Sequence, residues 1–242
     1  VNIESFDINA LYASNSDILF IDPDARFPRH SPLSEKERQA IIDWANGSDK
    51  RYIIENCCES EIIYESYPSL YSMNSSKVIY LGSFSRSFCP AFKTSYMILP
   101  PELLSMWKRG HAYYYALTPK IEQFALAEFL NKGYFTKHYK AMRRIDKEKR
   151  ELLKECLTYA FGDRIILQDC HGSTYITAEI QGLPANEIKQ LARQSGVKLF
   201  SMNSFNVSPK NTIKNDKLVI GIGDLSREQI KLGVQLIHRS II

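Results

Sequence analysis

Val78-Ile-Tyr-Leu-Gly-Ser-Phe-Ser-Arg-Ser-Phe-Cys-Pro-Ala-Phe-Lys-Thr-Ser-Tyr-Met-Ile-Leu-Pro100 decides how the rest of the chain is read. Its two ends, Val78 to Gly82 and Ser95 to Leu99, are short apolar runs bounded by polar or turn residues, the pattern of β-strands. Upstream, Asp17 to Ile21 reads as a buried strand and Arg51 to Ile54 as another. Between those two, Ser31 to Asn46 reads as a helix: Pro32 sits near its start, and Ser34 followed by Glu37 offers a capping box. Strand, helix and strand in this rhythm predict an α/β sheet covered by helices.

Downstream the pattern turns helical. Thr118-Pro119 is a cap and first-turn pair, the helix it opens runs to Asn131, and Gly133 ends it. Phe135, Tyr139, Met142, Ile145, Leu152, Cys156 and Ala160 follow near helical spacing up to a break at Gly162, predicting one long amphipathic helix. The style then changes again. Ile165 to Leu167, Ser173 to Ile180, Val197 to Ser201 and Leu218 to Ile222 read as strands, and Pro184 to Gln194 as a helix between them. Ser226 and Gln229 form a capping box for a last helix reaching about His238. Asn203 to Asp216, rich in Ser, Asn and Lys, reads as a loop.

Composition narrows the function classes. The 242 residues are 44% hydrophobic and 24% charged, ordinary for a globular protein. The net charge of +4 is too small to argue for nucleic-acid binding by this segment. No apolar run is long enough to cross a membrane. Cys57, Cys58, Cys89, Cys156 and Cys170 show no zinc-like spacing, so no metal site is expected, and they read as reduced thiols of a cytoplasmic protein. The start has no basic segment followed by an apolar stretch, so no signal peptide is expected. Val1 in place of an initiator methionine fits a piece of a longer or processed chain. Residues 137 to 150 hold seven Lys or Arg against Asp146 and Glu148. Lys140, Arg143, Arg144 and Lys147 share one stripe, read as a solvated helix face, with nucleic-acid contact as the alternative. His111 with Tyr113, Tyr114 and Tyr115 reads as an aromatic wall, in the core or at a subunit contact.

Two segments, Ile54-Glu-Asn-Cys-Cys-Glu-Ser-Glu-Ile-Ile-Tyr64 and the opening stretch, resemble the cofactor-binding strands of the MocR/GabR-like branch of the GntR transcription regulators. The likeness continues through Phe129-Leu-Asn-Lys-Gly-Tyr-Phe-Thr-Lys-His138, Met142-Arg-Arg144 and Gly221-Ile-Gly-Asp-Leu-Ser226, so it covers nearly the whole chain. Those regulators join a winged-helix DNA-binding domain to a fold-type-I aminotransferase-like domain that uses pyridoxal phosphate. The resemblance implies an α/β fold of the PLP-dependent transferase type. Residues 1–136 would be part of the large mixed-sheet domain, and 137–242 a linker helix with a small C-terminal α+β domain. A homodimer is implied, as is contact with DNA through an upstream winged helix outside this chain.

The resemblance also assigns a cofactor site: Asn56, Cys58, Ser83, Ser85, Arg86 and Lys93. In the family an acid at the Asn56 position pairs with the pyridine nitrogen, and a tyrosine at the Cys58 position bonds the ring hydroxyl. A lysine at the Arg86 position forms the Schiff base, and an arginine at the Lys93 position binds the phosphate. Ser83 and Ser85 match positions that contact or flank that phosphate. Phe27-Pro28 matches a proline-centred loop in which Arg29 and His30 replace small residues. The departures carry chemical weight. An imine needs a primary amine that can lose its proton, and a delocalised guanidinium keeps its proton, so Arg86 cannot serve. Neutral Asn56 cannot hold the ring nitrogen protonated as a carboxylate does. A thiol at position 58 is a weak donor where a phenol is a good one. The expectation is therefore an effector-sensing and dimerisation domain without transaminase activity and without a covalently held cofactor. Its pocket would suit a small anionic or amino-acid-like ligand. The alternatives are a working PLP-dependent aminotransferase and a ligand-free dimerisation scaffold.

Overall fold

The computed structural model describes residues 6–24, 32–58, 68–111, 113–114, 117–168, 174–205 and 216–241. The chain divides into two compact units, the first reaching Tyr139 and the second beginning at Lys140.

The first unit is built on a four-stranded sheet in the order β1 (Ile18–Ile21), β2 (Tyr52–Asn56), β3 (Val78–Ser83), β4 (Ser95–Ile98). The first three strands are parallel and β4 runs against β3, giving a mixed sheet. Two helices, α1 (Ile8–Ala13) and α2 (Glu35–Asn46), and the single turn α3 (Leu70–Met73) pack on one face. There Leu11, Leu33, Ile41, Ile42, Trp44 and Leu70 meet Ile21, Ile53 and Val78. The capping box expected of Ser34 and Glu37 is present. Ser34 Oγ accepts from the Glu37 N–H at 3.3 Å, and Glu37 accepts from the Ser34 N–H at 2.8 Å. That cap also explains why the helix begins at Glu35 and not at the expected Ser31: Ser34 is extended, and Pro32 lies before the first turn.

The strongest single constraint in this unit is Arg38, completely buried on α2. Its Nε donates to the Leu33 carbonyl at 3.1 Å, Nη1 to Pro68 at 3.0 Å and Nη2 to Pro23 at 3.4 Å, and it pairs with Asp24. A planar fork of five donors can tie three backbone segments at once, which an ammonium cannot.

Further along come α4 (Phe84–Ser87), α5 (Pro101–His111), α6 (Lys120–Asn131) and α7 (Tyr134–Phe161). Gly133 and Gly162 end α6 and α7, with φ of 72° and 55°, values a side chain disfavours. The second unit has a sheet in the order β5 (Ile165–Gln168), β6 (Tyr175–Ile180), β8 (Leu218–Gly221), β7 (Phe200–Ser201), every pairing antiparallel. Helices α8 (Ala185–Gln194) and α9 (Arg227–Ile241) and the C-terminal part of α7 cover one face. Leu153, Leu157, Ile176, Ile188, Leu218 and Ile230 are among its fully buried residues. The strand expected over Val197 to Ser201 shrinks to two residues. The Val197 N–H bonds back to the Ala192 carbonyl at 2.9 Å, so that segment still closes α8 and cannot pair. The box of Ser226 and Gln229 does cap α9, which runs three residues past the expected His238. On α7, Lys140, Arg144 and Lys147 are exposed, the solvated face the sequence predicted, while Arg143 is half-buried and Asp146 and Arg150 are buried.

Replacing Arg38 by Ala leaves Asp24 and three backbone carbonyls short of a donor in a dry site. The expected cost is about 3–5 kcal/mol of folding stability, read as a lowered urea midpoint. An Arg38→Lys variant should recover only part of it, because one ammonium cannot reproduce the fork.

Candidate functional site

All six residues singled out from the sequence lie in the first unit, near the carboxyl ends of the parallel strands β2 and β3. That is where ligands bind in open α/β sheets. Asn56 ends β2, half-buried, beside Leu81 of β3. The ladder extends one residue further, because the Cys57 N–H donates to the Leu81 carbonyl at 2.9 Å. Cys58, half-buried, follows in a turn. Side chains alternate along a strand, so Asn56, Leu81 and Ser83 share one face of the sheet. Cys57, Cys58, Cys89 and Cys156 are not disulfide-bonded.

The segment from Ser83 to Lys93 folds into a knot of local hydrogen bonds. Ser83 caps α4, its Oγ accepting from the Ser85 N–H at 3.2 Å. The Ser85 hydroxyl donates to the Phe92 carbonyl at 2.9 Å, and the Phe84 N–H to the Thr94 carbonyl at 3.0 Å. These bonds fold residues 88–94 back beside α4. Aromatic packing fixes which side of α4 faces inward. The Phe84 ring lies 5.5 Å from Tyr96 and 5.7 Å from Phe135; the Phe88 ring lies 4.9 Å from Phe129 and 5.8 Å from His138. His138 Nε2 donates to the Phe88 carbonyl at 2.9 Å, which fixes its tautomer. With Phe84 and Phe88 turned inward and Ser87 buried, Arg86 is left on the exposed side, and Lys93 is exposed as well. Arg86 and Lys93 are thus both exposed in the segment that carries Ser83 and Ser85. The Ser85 proton is already committed to Phe92, and Thr94 Oγ1 is buried with no hydrogen-bond partner.

Two contributors escaped the sequence reading. Gly82 lies opposite Tyr96, and a Cβ there would sit 2.2 Å from the Tyr96 ring, so β3 needs a glycine at this point. Glu55, fully buried, accepts from the N–H groups of Leu70 at 2.8 Å and Tyr71 at 2.9 Å, docking α3 against β2. A lone carboxylate inside a strand offers no spacing that marks it out. Phe27-Pro28 with Arg29 and His30, residues 59–64 of the first motif, Tyr115 and Cys170 lie outside the described residues.

No family model matches the chain. The HTH-type transcriptional regulator YhdI of Bacillus subtilis (strain 168) is 30% identical over 232 residues, covering 93% of this chain and 48% of that protein. The probable rhizopine catabolism regulatory protein MocR of Rhizobium meliloti is 23% identical over 183 residues, 73% of this chain and 36% of that protein. Among solved structures, the α-aminoadipate aminotransferase LysN of Thermus thermophilus matches with a TM-score of 0.77 at 22% identity. It covers 96% of this chain and 60% of that one. The chain is similar in sequence to HTH-type transcriptional regulators, MocR among them. Its fold is that of the fold-type-I PLP-dependent aminotransferases. It spans about half the length of the regulators YhdI and YdeL.

Within this MocR-like chain the Glu55 carboxyl is held above its ordinary value of 4.5, chiefly by loss of water. The two backbone donors and Arg38 pull it down, and Asp24 pushes it up. The folded state therefore binds the Glu55 proton more tightly than the unfolded state does. Its contribution to stability is full below 4.5 and is lost as pH rises through the raised value. Urea midpoints of the parent protein and of Glu55→Gln, measured from pH 4 to 7, should show the parent losing ground to the variant as pH rises. Parallel curves would contradict the assignment.

Proposed function

We propose that this chain is the effector-sensing and dimerising part of a cytoplasmic MocR-type transcription regulator whose pyridoxal phosphate site has lost its covalent chemistry. The observation that carries this is Arg86. It stands on α4, directly after the third parallel strand of an aminotransferase fold, where the resemblance expects the amine that holds the cofactor. A guanidinium on an exposed helix face can attract an anion but cannot form the imine.

The residues present do not fit a covalently held pyridoxal phosphate. When bound in an aminotransferase, that cofactor supplies the electron sink for amino-acid chemistry. Here Asn56 and Cys58 stand where its ring would find an acid and a phenol. What the remaining groups do fit is a small anion held without a bond: Arg86 and Lys93 offer two exposed cations. An amino-acid-like or phosphorylated effector meets that description. The domain assignment follows the same reading, with residues 1–136 as part of the large domain and 137–242 as linker helix and small domain. DNA contact would belong to an upstream winged helix.

Dimerisation has separate support in the first unit. Helix α5 buries none of its residues. Trp107 and His111 stack at 5.9 Å, His111 meets Tyr114 at 5.3 Å, and Tyr113 and Tyr114 stay 93% and 74% exposed. Exposed aromatics clustered on one element are characteristic of protein interfaces. A two-fold dimer would carry two DNA-binding domains to paired half-sites.

The competing reading, a working aminotransferase, is favoured by the fold alone and is opposed by Arg86. Protein incubated with pyridoxal phosphate and reduced with borohydride should yield no adduct on the peptide containing Arg86; an adduct there would restore the enzyme. Phosphate or sulfate at about a hundredfold excess over its Kd should stabilise the protein by about 2.7 kcal/mol, and Arg86→Ala should abolish the effect. Indifference to both anions would leave the ligand-free scaffold. Light scattering at low micromolar concentration should find the full-length regulator dimeric.

A further inference from the structure

Helix α4 has four residues, too few to be stable alone. The carbonyls at its C-terminal end have no partner within the helix and need one from outside. The carbonyl of its C-cap residue, Phe88, finds that partner on α7, where His138 Nε2 donates to it at 2.9 Å. The two helices also meet through rings. Phe135 and His138, three apart and so on one face of α7, have ring centroids 5.7 Å from Phe84 and 5.8 Å from Phe88 respectively. Phe129 of α6 joins them, 4.9 Å from the Phe88 ring and 6.4 Å from that of His138. All of these residues belong to the first unit. Ring contacts supply adhesion with little direction. The hydrogen bond is directional, and Phe88 stands two residues from Arg86, so a rotation of α4 that swung Arg86 aside would break it.

We infer that His138 is the positioning residue of the Arg86 turn: by capping α4 from α7 it fixes the direction in which Arg86 presents its charge. The capping stands on the geometry of α4, while the use of that charge rests on the proposed anion site. Half-buried beside Phe88 and Phe129, His138 could be mere apolar packing, and its N–H is what separates the two roles. Three substitutions divide the donor from the ring. His138→Phe keeps a ring and loses the donor. His138→Gln loses the ring and keeps a donor as many bonds from Cα as Nε2. His138→Asn carries its donor one bond short, and serves in place of the Phe variant where that variant fails to fold.

Hydrogen exchange reads the turn directly, at the Phe88 and Cys89 N–H groups, which donate to the Phe84 carbonyl at 2.9 and 3.4 Å. Exchange there should quicken about tenfold in the Phe and Asn variants, the factor carried by one hydrogen bond, and stay within about twofold of the parent in the Gln variant. Unchanged exchange in the first two, or equal quickening in all three, would reduce His138 to packing and overturn the inference. Phosphate titration followed by melting temperature reads the consequence. Affinity should fall by up to about tenfold in the Phe and Asn variants and be kept by Gln, because a turn only partly in the competent position binds in proportion to that fraction. Quickened exchange with phosphate affinity equal to the parent's would overturn the positioning of Arg86. A parent indifferent to phosphate, with exchange changing as expected, would instead overturn the anion site and the charge-directing role with it, while the cap stood.

Discussion

A cation sealed from water organises the first unit. Taking a guanidinium out of water costs several kcal/mol unless every donor is matched, and Arg38 is matched by carbonyls from three separate stretches and by Asp24. Those stretches are the exit of β1 at Pro23, the approach to α2 at Leu33 and the approach to α3 at Pro68. Each is therefore fixed relative to one side chain. The third is fixed twice, since Glu55 on β2 accepts the first two N–H groups of α3. The exit of β1 is thus held through Arg38, and β2, at whose carboxyl end Asn56 lies, is tied to α3 through Glu55. Apolar packing alone would tolerate sliding that directional hydrogen bonds do not.

The same logic reappears at α4 with aromatic rings in place of charges. Four residues of helix have no stability of their own. Here the turn is held by Phe84 and Phe88, one on each side of Arg86, and by the fold-back that Ser85 and Thr94 close. The direction of Arg86 is thus set by its neighbours, and any side chain at position 86 would leave α4 on the same side. A lysine there would present an amine to the space where this chain presents a guanidinium. Exchanging one of these side chains for the other needs no change of backbone.

What was legible in the sequence follows from which forces repeat along it. Apolar runs and capping boxes are local, so every described strand but β7 could be placed to within about two residues, and Ser34, Glu37, Ser226 and Gln229 marked the caps of α2 and α9. Elements of one turn, α3 and α4, have no period to detect. Arg38 sits in Glu-Lys-Glu-Arg-Gln, a run that reads as a solvated helix face. Its burial depends on carbonyls up to 30 residues away. Glu55 was hidden for the same reason. The site residues were reachable only through resemblance: nothing in the spacing of Asn56, Cys58, Ser83, Ser85, Arg86 and Lys93 marks them as one site, and it is parallel pairing of β2 and β3 that gathers them.

The two units differ in how completely they bury what they contain. The second closes its core with its own α7, α8 and α9 against β6 and β8, and the sheet residues of that core, Ile176, Ala178, Ile180, Leu218, Ile220 and Ile222, are all buried. The first leaves apolar side chains of β1 and β4 open on the sheet and aromatics open on α5. Small domains survive on the fraction of apolar surface they remove from water, and by that measure the second unit is the better closed of the two.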